Sequence, residues 1–501
     1  MISNLCINRF LFFIILFAGV FYLMNTNYDN SSKVYRVSML WAKNSINDID
    51  PASISYANEA IVLDNLYGNL ITYDNEGNLI TDLADKFYWD GESYNFVFGN
   101  KKTSQGQQIT AHDAELSLKR LLILSKNSHG KLTSYICGTR EVKKIDDYCS
   151  GITVEDNILK IKATEDVSYD LVLSLLTGVD FKIIPSSAID KNYPYRIKDY
   201  ANTTGPYYFV DDKKSKFKFS VNSYYSQSNK IEIRNWEIVA RGLFESIDNI
   251  GHEIDIITTA SYVDWSKDKN KKYDNVSIFS TLPISIELMV FTQYGMDTLT
   301  VSERAKIANL LKIYLKNKFD LTKMDTYQFF PKDGSGWLDW DKEVIVQGVR
   351  NNITDFNRKI KIGFPKSVFS KLTNLDELKK NNIEIVVSEL HNINKDKDLV
   401  AEFVSTDSNF QEDISLLEYN FNFGIFTVSN TDTVNWMANY TRKNKLERLY
   451  MLKELQYDLL SSIKIAPLYS MAYYLVIAGS DWEFNMSKSS ASTHLWKIQK
   501  K

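Results

Sequence analysis

The feature that most constrains the fold of this chain is an alternation of short strand patterns with longer helix patterns along its body. Several of the strand patterns alternate apolar and polar residues, as half-buried strands do. No internal repeat of 20 to 50 residues interrupts the alternation, which excludes a solenoid. The predicted strands are Tyr35–Leu40, Tyr94–Phe98, Ile158–Ile161, Tyr207–Val210, Lys216–Val221, Ile360–Phe364 and Ile383–Val387.

The helix patterns are clearest where a capping residue precedes an apolar face. Thr110 followed by Asp113, and Thr300 followed by Glu303, resemble capping boxes that open helices. A third helix is predicted near Arg442–Ser462. Helices alternating with strands indicate an α/β fold. Since 501 residues exceed the size at which a single core stops growing, we expect two or three domains.

The N-terminus carries an export signal. Arg9 is followed by the apolar run Phe10–Met24, about 15 residues, which suits a signal-peptide core and falls short of a comfortable membrane span. No A-x-A-like cleavage site follows, and Cys6 precedes the run, where a lipobox cysteine does not lie. Residues 1–32 are therefore interpreted as a signal peptide or an N-terminal membrane anchor. We expect the body to be periplasmic, either free or anchored to the inner membrane by residues 10–24.

The charge of the chain limits its possible classes of partner, and its cysteines bear on disulfide formation in the expected compartment. The net charge is −3, so the chain lacks the basic field that binds nucleic acid. Cys137 and Cys149 are the cysteines of the exported part. In an oxidising compartment such a pair favours a disulfide worth about 3 kcal/mol, with two reduced buried thiols as the alternative.

Motifs for catalysis or metal binding are missing from the sequence. The five histidines are far apart and form no H-x-x-x-H pattern, and there is no P-loop, no G-x-G-x-x-G after a strand and no G-x-S-x-G elbow. We therefore expect no enzyme activity, no bound metal and no cofactor.

An ordered series of segments resembles the family 5 extracellular solute-binding proteins, the oligopeptide, dipeptide and nickel receptors of ABC importers. The series spans about residues 35 to 500 and opens at the Asp-Pro start of residue 50. The segments are DPASISYANEAIVLDNLYGNLITYDNEGNLITDLADKFYWDGESYNFVF (50–98), GQQITAHDAELSLKRLL (106–122), TTGPYYF (203–209), GHEIDII (251–257), SERAKIANLLK (302–312), LKKNNIEIVV (378–387) and IKIAPLY (463–469).

The resemblance implies a periplasmic-binding-protein-like fold of type II, with two lobes joined by a hinge and an extra subdomain in lobe one. Ligand is then expected in the cleft between the lobes, where binding sites commonly lie. The predicted division is a lobe one core from 33–70, 186–280 and 476–501, an extra subdomain over 71–185, and lobe two over 281–475.

The resemblance also implies ligand-binding residues. The segment DLVAEFVSTDSN (398–409) is similar to the one in which peptide receptors place an aspartate against the ligand's α-ammonium, so Asp407 takes that role; a surface-turn aspartate is the alternative. One fixed carboxylate suits a buried ammonium because an unpaired buried charge is costly. Main-chain groups near Ile54, Ser55 and Tyr56, and those of Ser405, are expected to pair with an extended peptide as an added strand.

Three further residues complete the predicted site, while two departures from the family's sequence pattern weaken the assignment of a peptide ligand. Thr258 and Thr259 are expected to line the cleft from lobe one, and Tyr474 from the crossover near the C-terminus. Where oligopeptide receptors often have tryptophan and arginine before the aspartate, this chain has Val404 and Ala401. The family's Asn-x-x-x-P-P-F stretch is replaced here by FTQYGMDTLT (291–300). A ligand other than a standard peptide is therefore also open.

The resemblance implies a monomeric receptor that captures oligopeptides or related small solutes and delivers them to an ABC permease. The alternative is a membrane-tethered sensor or interaction domain with the same fold, which an uncleaved leader would favour. An exported hydrolase is disfavoured because the nucleophile and metal motifs are absent.

Overall fold

The computed structural model describes residues 33–41, 43–54, 57–74, 77–124, 136–137, 142–163, 167–190, 192, 195–212, 215–241, 250–260, 275–281, 284–319, 326–330, 334–338, 356–370, 372–388, 398–407, 414–427, 433–485 and 493–501. The predicted leader and the predicted site residues Ser55 and Tyr56 lie outside these ranges. For Thr259 and Asp407 the backbone alone is described.

Strands and helices alternate along the described residues. The strands are β1 (Val34–Leu40), β2 (Ile71–Tyr73), β3 (Leu79–Thr81), β4 (Lys86–Trp89), β5 (Tyr94–Val97), β6 (Ile152–Glu155), β7 (Ile158–Ile161), β8 (Tyr207–Asp212), β9 (Ser215–Val221), β10 (Asn235–Arg241), β11 (Ile256–Ala260), β12 (Val276–Ser280), β13 (Ser285–Phe291), β14 (Ile360–Pro365), β15 (Ile383–Ser388), β16 (Ala401–Asp407), β17 (Ile465–Met471), β18 (Tyr473–Ala478), β19 (Trp482–Glu483) and β20 (Gln499–Lys500). The helices are α1 (Ala57–Leu66), α2 (Ala111–Leu124), α3 (Tyr169–Leu175), α4 (Gln293–Thr298), α5 (Val301–Phe319), α6 (Lys366–Phe369), α7 (Asp376–Lys380), α8 (Ile414–Asn422), α9 (Thr433–Arg442) and α10 (Lys445–Ser461).

Two capping boxes predicted from sequence are present. The Thr110 backbone N–H donates to the Asp113 carboxylate at 2.8 Å, and the Asp113 N–H donates to the Thr110 hydroxyl at 3.3 Å, which opens α2. Thr300 and Glu303 make the equivalent pair before α5, at 2.8 and 3.2 Å. The seven predicted strands are confirmed as β1, β5, β7, β8, β9, β14 and β15.

The predicted start of the third helix is wrong. Arg442 ends α9, and α10 begins at Lys445 after a break. Asn444 causes the break, since its side chain accepts the Glu447 N–H at 3.0 Å while its own N–H donates to the Glu447 carboxylate at 3.1 Å. This capping box starts α10 three residues after the predicted start, and Arg442 belongs to the preceding helix.

The first sheet has seven strands in the order β12-β18-β11-β1-β10-β9-β8. Its central strand β1 runs parallel to β10 and β11, and the other neighbouring pairs are antiparallel. Trp236 of β10 is fully buried and stacks on Phe219 of β9, with ring centroids 4.1 Å apart. One apolar cluster around these rings forms the core of this sheet.

The second sheet has five strands in the order β15-β14-β16-β13-β17. β14 runs parallel to β15 and β16, and β13 is antiparallel to both of its neighbours. All seven residues of β13 are buried. Met289 belongs to the same core cluster as Leu311 of α5, whereas Leu288 belongs to a different cluster, so both faces of the sheet are covered.

A third sheet, antiparallel and four-stranded in the order β4-β5-β7-β6, packs against α2. Beside it Cys137 and Cys149 are buried and form the predicted disulfide, with an S–S distance of 1.97 Å and Cα atoms 4.8 Å apart. The chain therefore runs from the first sheet into the third, back to the first, into the second, and finally back to the first through β18.

Candidate functional site

The carboxyl ends of three strands meet at one edge of the first sheet. β1, β10 and β11 are parallel and end at Leu40, Arg241 and Ala260. In open α/β sheets, ligands bind outside the carboxyl ends of the parallel strands. This edge is therefore the candidate binding edge of the first sheet.

The second sheet has a corresponding edge. β14, β15 and β16 are parallel and end at Pro365, Ser388 and Asp407. The start of β13 and the end of β17 lie at the same edge, because Ser285 is opposite both Asp407 and Met471. Asp407 thus ends its strand where the chain enters and leaves the second sheet.

Two chain crossings join these edges directly. β12 ends at Ser280 and β13 begins at Ser285, while β17 ends at Met471 and β18 begins at Tyr473. Thr281 and Tyr473 bind each other across the crossings: the Thr281 N–H donates to the Tyr473 carbonyl at 3.0 Å, and the Tyr473 N–H donates to the Thr281 hydroxyl at 2.9 Å. The binding edges of the two sheets are consequently adjacent and joined by two short connections.

The predicted residues of the first sheet lie at its binding edge. Thr259 is opposite Tyr474, which in turn is opposite Ser280 at the end of β12. Thr258 is buried and Tyr474 is half-buried. The three residues predicted from the first-sheet side, Thr258, Thr259 and Tyr474, are therefore brought together beside the crossings.

The predicted residues of the second sheet lie on the other side of the crossings. Ser405 is exposed on β16, opposite Glu287, and Asp407 follows two positions later. Tyr474 and Met471 are three residues apart on the crossing chain, about 10 Å when extended. A small solute between the edges could contact both groups, and these contacts stay predictions.

Ile54 is held near the binding edge by the elements around it. The Asn58 side chain of α1 donates to the Leu40 carbonyl at 2.9 Å, which places the start of α1 beside the end of β1. Ile54 itself is half-buried, in extended backbone after the turn Pro51–Ser53. The position of its neighbours Ser55 and Tyr56 at the site stays a prediction.

An ion pair fixes the segment that leads to Ile54. The Arg120 guanidinium of α2 binds both carboxylate oxygens of Asp50, one of them at 3.0 Å, and also donates to the Tyr195 carbonyl at 2.5 Å. Asp50 additionally accepts the Ala52 N–H at 2.9 Å, which caps the turn. A helix packed on the third sheet therefore positions a candidate ligand-binding segment of the first.

Sequence reasoning missed two buried carboxylates near these edges. Glu287 is buried on β13 beside Ser405, and Glu59 is buried in the first turn of α1, with Lys43 at 3.3 Å. A buried charge needs a charged or hydrogen-bonding partner, which Lys43 supplies for Glu59. The detectable signal for Glu287 was a single charged residue within the apolar run LPISIELMVF.

A buried cation lies away from the candidate site. Burial, together with the nearby charge of Arg304, lowers the pKa of Lys464 to about 8. Lys464 precedes β17, at the end opposite to Met471, and donates to the Phe291 carbonyl. It therefore serves the packing of the second sheet. Within the described part of the chain, no group of three His, Cys, Asp or Glu residues could hold a metal ion.

No protein-family model matches the sequence, and no characterised protein matches it by sequence. Solved structures do match over nearly the whole chain. The periplasmic binding protein DppA from Helicobacter pylori, in complex with peptide STSA, is 14% identical with a TM-score of 0.69, covering 93% of this chain and 98% of that one.

Two further structures match equally well. The periplasmic oligopeptide-binding protein OppAIV from Borrelia burgdorferi is 16% identical with a TM-score of 0.68, covering 93% of this chain and 99% of that one. NikA from Staphylococcus aureus in complex with Ni(L-His)2 is 16% identical with a TM-score of 0.68, covering 94% and 100%.

These likenesses confirm the predicted two-lobed, periplasmic-binding-protein-like α/β fold. Identities of this size show the fold alone, since one fold serves many ligands. No helix among the described residues combines the length and the apolar character needed to cross a membrane.

Proposed function

We propose that this protein is the substrate-binding component of an ABC importer. It captures oligopeptides or related small solutes in the cleft between its lobes and delivers them, chemically unchanged, to a permease in the inner membrane. It acts as a monomer in the periplasm, after export by residues 1–32.

One observation carries the proposal: the carboxyl edges of two separate sheets are adjacent and joined by two short chain crossings. A solute bound there contacts both lobes, and such a ligand stabilises the closed arrangement over the open one. The solved structures with this fold support the ligand class, since two of them are named for binding peptides or contain one.

The proposed division of the chain follows the same geometry. Lobe one has its core in 33–70, 186–280 and 476–501 and an extra subdomain over 71–185, and lobe two covers 281–475. The order in which the chain visits the three sheets supports this division.

We assign the ligand's α-ammonium to Asp407, because the carboxyl end of β16 is at the binding edge. The main chain of Ser405 and of Ile54, Ser55 and Tyr56 pairs with the extended ligand. Main-chain pairing makes selectivity loose, because it does not read side chains.

Selectivity is further loosened at the two positions where peptide receptors often have larger residues. Ala401 and Val404 are buried apolar residues of the second sheet, and Ala401 begins β16 at the end away from the binding edge, so neither offers a polar group to a ligand. Thr258, Thr259 and Tyr474 supply the wall of the cleft from lobe one.

Native mass spectrometry of protein purified without denaturation tests the ligand class. We expect a spread of bound masses that fit short peptides, because receptors of this kind retain ligand. A single non-peptide mass would assign another solute to the same cleft, and a protein that binds no added peptide would contradict the peptide proposal. N-terminal sequencing of the mature protein decides between a removed leader and a retained anchor.

Replacing Asp407 with Ala tests the assignment of the ammonium partner. Loss of one partner of a buried charged pair costs about 3 kcal/mol, which is about a hundredfold in Kd. Isothermal titration with a mixed tripeptide pool, or with the peptide identified above, measures the change.

Asp398→Ala is the matched control, because Asp398 belongs to the same segment but is 80% exposed and pairs with Lys361 only at 3.5 Å. We expect this variant to bind as the parent does. If Asp407→Ala binds as tightly as Asp398→Ala, the ammonium partner is a different residue.

A further inference from the structure

The short helix α3 of the extra subdomain lies against the second lobe. α3 contacts α8, and Leu171 and Leu175 of α3 share one buried apolar cluster with Leu417 and Phe421 of α8. The extra subdomain is therefore packed on lobe two as well as on lobe one.

Polar contacts reinforce this packing at the start of α3. The Ser168 N–H donates to the Thr441 carbonyl at 2.9 Å, which satisfies a carbonyl in the last turn of α9. The Asp170 carboxylate binds the Arg448 guanidinium of α10 at 2.6 Å. Arg448 also donates to the Lys443 carbonyl at 2.6 Å, so its position is set by lobe two.

The same subdomain is anchored to lobe one through Arg120 and Asp50, which bind each other bidentately. It consequently spans the two lobes at a place other than the crossing strands. When the lobes separate, a contact outside the hinge must either break or make the extra subdomain move together with lobe two.

The contact with lobe two is the weaker of the two attachments. The Asp170 side chain is 45% exposed, whereas Asp50 is 19% exposed, and both guanidinium partners are buried. When the lobes separate, water replaces Arg448 at the half-exposed Asp170 carboxylate, and Arg448 keeps the Lys443 carbonyl as an acceptor. We therefore expect lobe separation to break the Ser168–Thr441 and Asp170–Arg448 contacts and to leave the Asp50–Arg120 pair intact.

We propose that α3 is a latch: its contacts from Ser168 to Thr441 and from Asp170 to Arg448 hold the cleft closed, and the cleft opens when they part. This inference rests on the proposed function, since it assumes a cleft that opens and closes. It makes the extra subdomain a determinant of how long a solute stays bound.

Hydrogen exchange on the full chain without added ligand tests the latch. In Asp170→Asn we expect the Ser168 amide to exchange about tenfold faster than in the parent, while the amides of β11 exchange at the parental rate. Asp146→Asn, an exposed carboxylate of the same subdomain, is the matched control and should change neither rate.

Small-angle scattering on the same proteins tests whether the latch holds the cleft. We expect a larger radius of gyration for unliganded Asp170→Asn than for the parent. Ser168→Pro should have the same effect, because it removes the donor N–H while the native φ of −68° suits proline.

An unchanged Ser168 exchange rate, or faster exchange with an unchanged radius, would overturn the latch. Equal acceleration in β11 would also overturn it, since it would mark a general loss of stability. None of these readouts needs a ligand. A working latch in a protein that binds no peptide therefore refutes the peptide assignment alone, and peptide binding with no latch refutes this inference alone.

Discussion

Loss of the Asp50 carboxylate should destabilise the protein more than loss of its partner Arg120. The guanidinium is the more deeply buried half of the pair, with 2% of its side chain exposed against 19% for Asp50. Asp50 also accepts the Ala52 N–H, which Arg120 does not share. Removing the carboxylate therefore leaves a buried cation whose remaining described acceptor is the Tyr195 carbonyl, and it also uncaps a turn.

The magnitudes follow from these contacts. In Asp50→Ala, the unpaired buried cation costs about 3–5 kcal/mol and the lost cap about 1 kcal/mol. In Arg120→Met, the new side chain is apolar and of similar length. The remaining Asp50 carboxylate still accepts the Ala52 N–H and is partly hydrated, so we expect a loss of stability of about 1–3 kcal/mol. The two variants should differ by about 3 kcal/mol.

Urea unfolding followed by far-ultraviolet circular dichroism measures the difference, provided that the slopes of the transitions agree. The double variant Asp50→Ala/Arg120→Met should lose less stability than the two single variants lose together, because no buried charge is left unpaired. Asp398→Ala, which breaks an exposed pair, should cost less than about 1 kcal/mol.

The reasoning is refuted if Arg120→Met is the less stable single variant, or if the two single losses add in the double variant. Either result would show that the stability of the pair does not derive from the burial of the guanidinium. A secondary expectation is weaker ligand binding by Asp50→Ala, because the segment up to Ile54 loses its anchor.

Two further predictions concern pH and redox conditions. Burial, with the charges of Lys497 and Lys182, lowers the pKa of His494 to about 4 in the folded protein, against about 6.5 when unfolded, so stability is lost as the pH falls from 6.5 towards 4. Between pH 7 and pH 5 the loss of folding stability amounts to about 2 kcal/mol. The urea midpoint of His494→Gln should therefore fall less over that range than the midpoint of the parent. An equal fall in both proteins would contradict the prediction. Reducing the Cys137–Cys149 disulfide should lower stability by about 3 kcal/mol, seen as a lower Tm with a thiol reductant, whereas an unchanged Tm would show that the bond does not stabilise the fold.

Local structure was largely predictable from the sequence. The strands around Val37 and Leu159 and the helices after Thr110 and Thr300 lie where period and caps place them, because both signals act within a few residues. The boundary at Asn444 was missed, since an asparagine within an apolar period reads as part of a helix until its cap is considered.

The overall architecture was predictable from the order of seven segments, even though the matching structures are 14–16% identical to this chain. A fold depends on where buried and turn residues recur along the chain, and that pattern is retained even when most side chains differ.

The candidate site was only partly predictable. The sequence pointed to Asp407, Thr258 and Tyr474 one at a time, through resemblance, and it contained no signal that set Glu287 beside Ser405. That neighbourhood arises from strand pairing between segments more than a hundred residues apart, which no local pattern encodes.

By itself, then, the sequence determined the α/β class, most elements and the cysteine pair, because these depend on composition and on short-range periodicity. The tertiary structure alone decided that the two carboxyl edges are adjacent, that Arg120 holds the segment of Asp50, and that α3 contacts Arg448. The partners of the latch are separated by 278 residues, and contacts of that range are set by the path of the chain through three sheets.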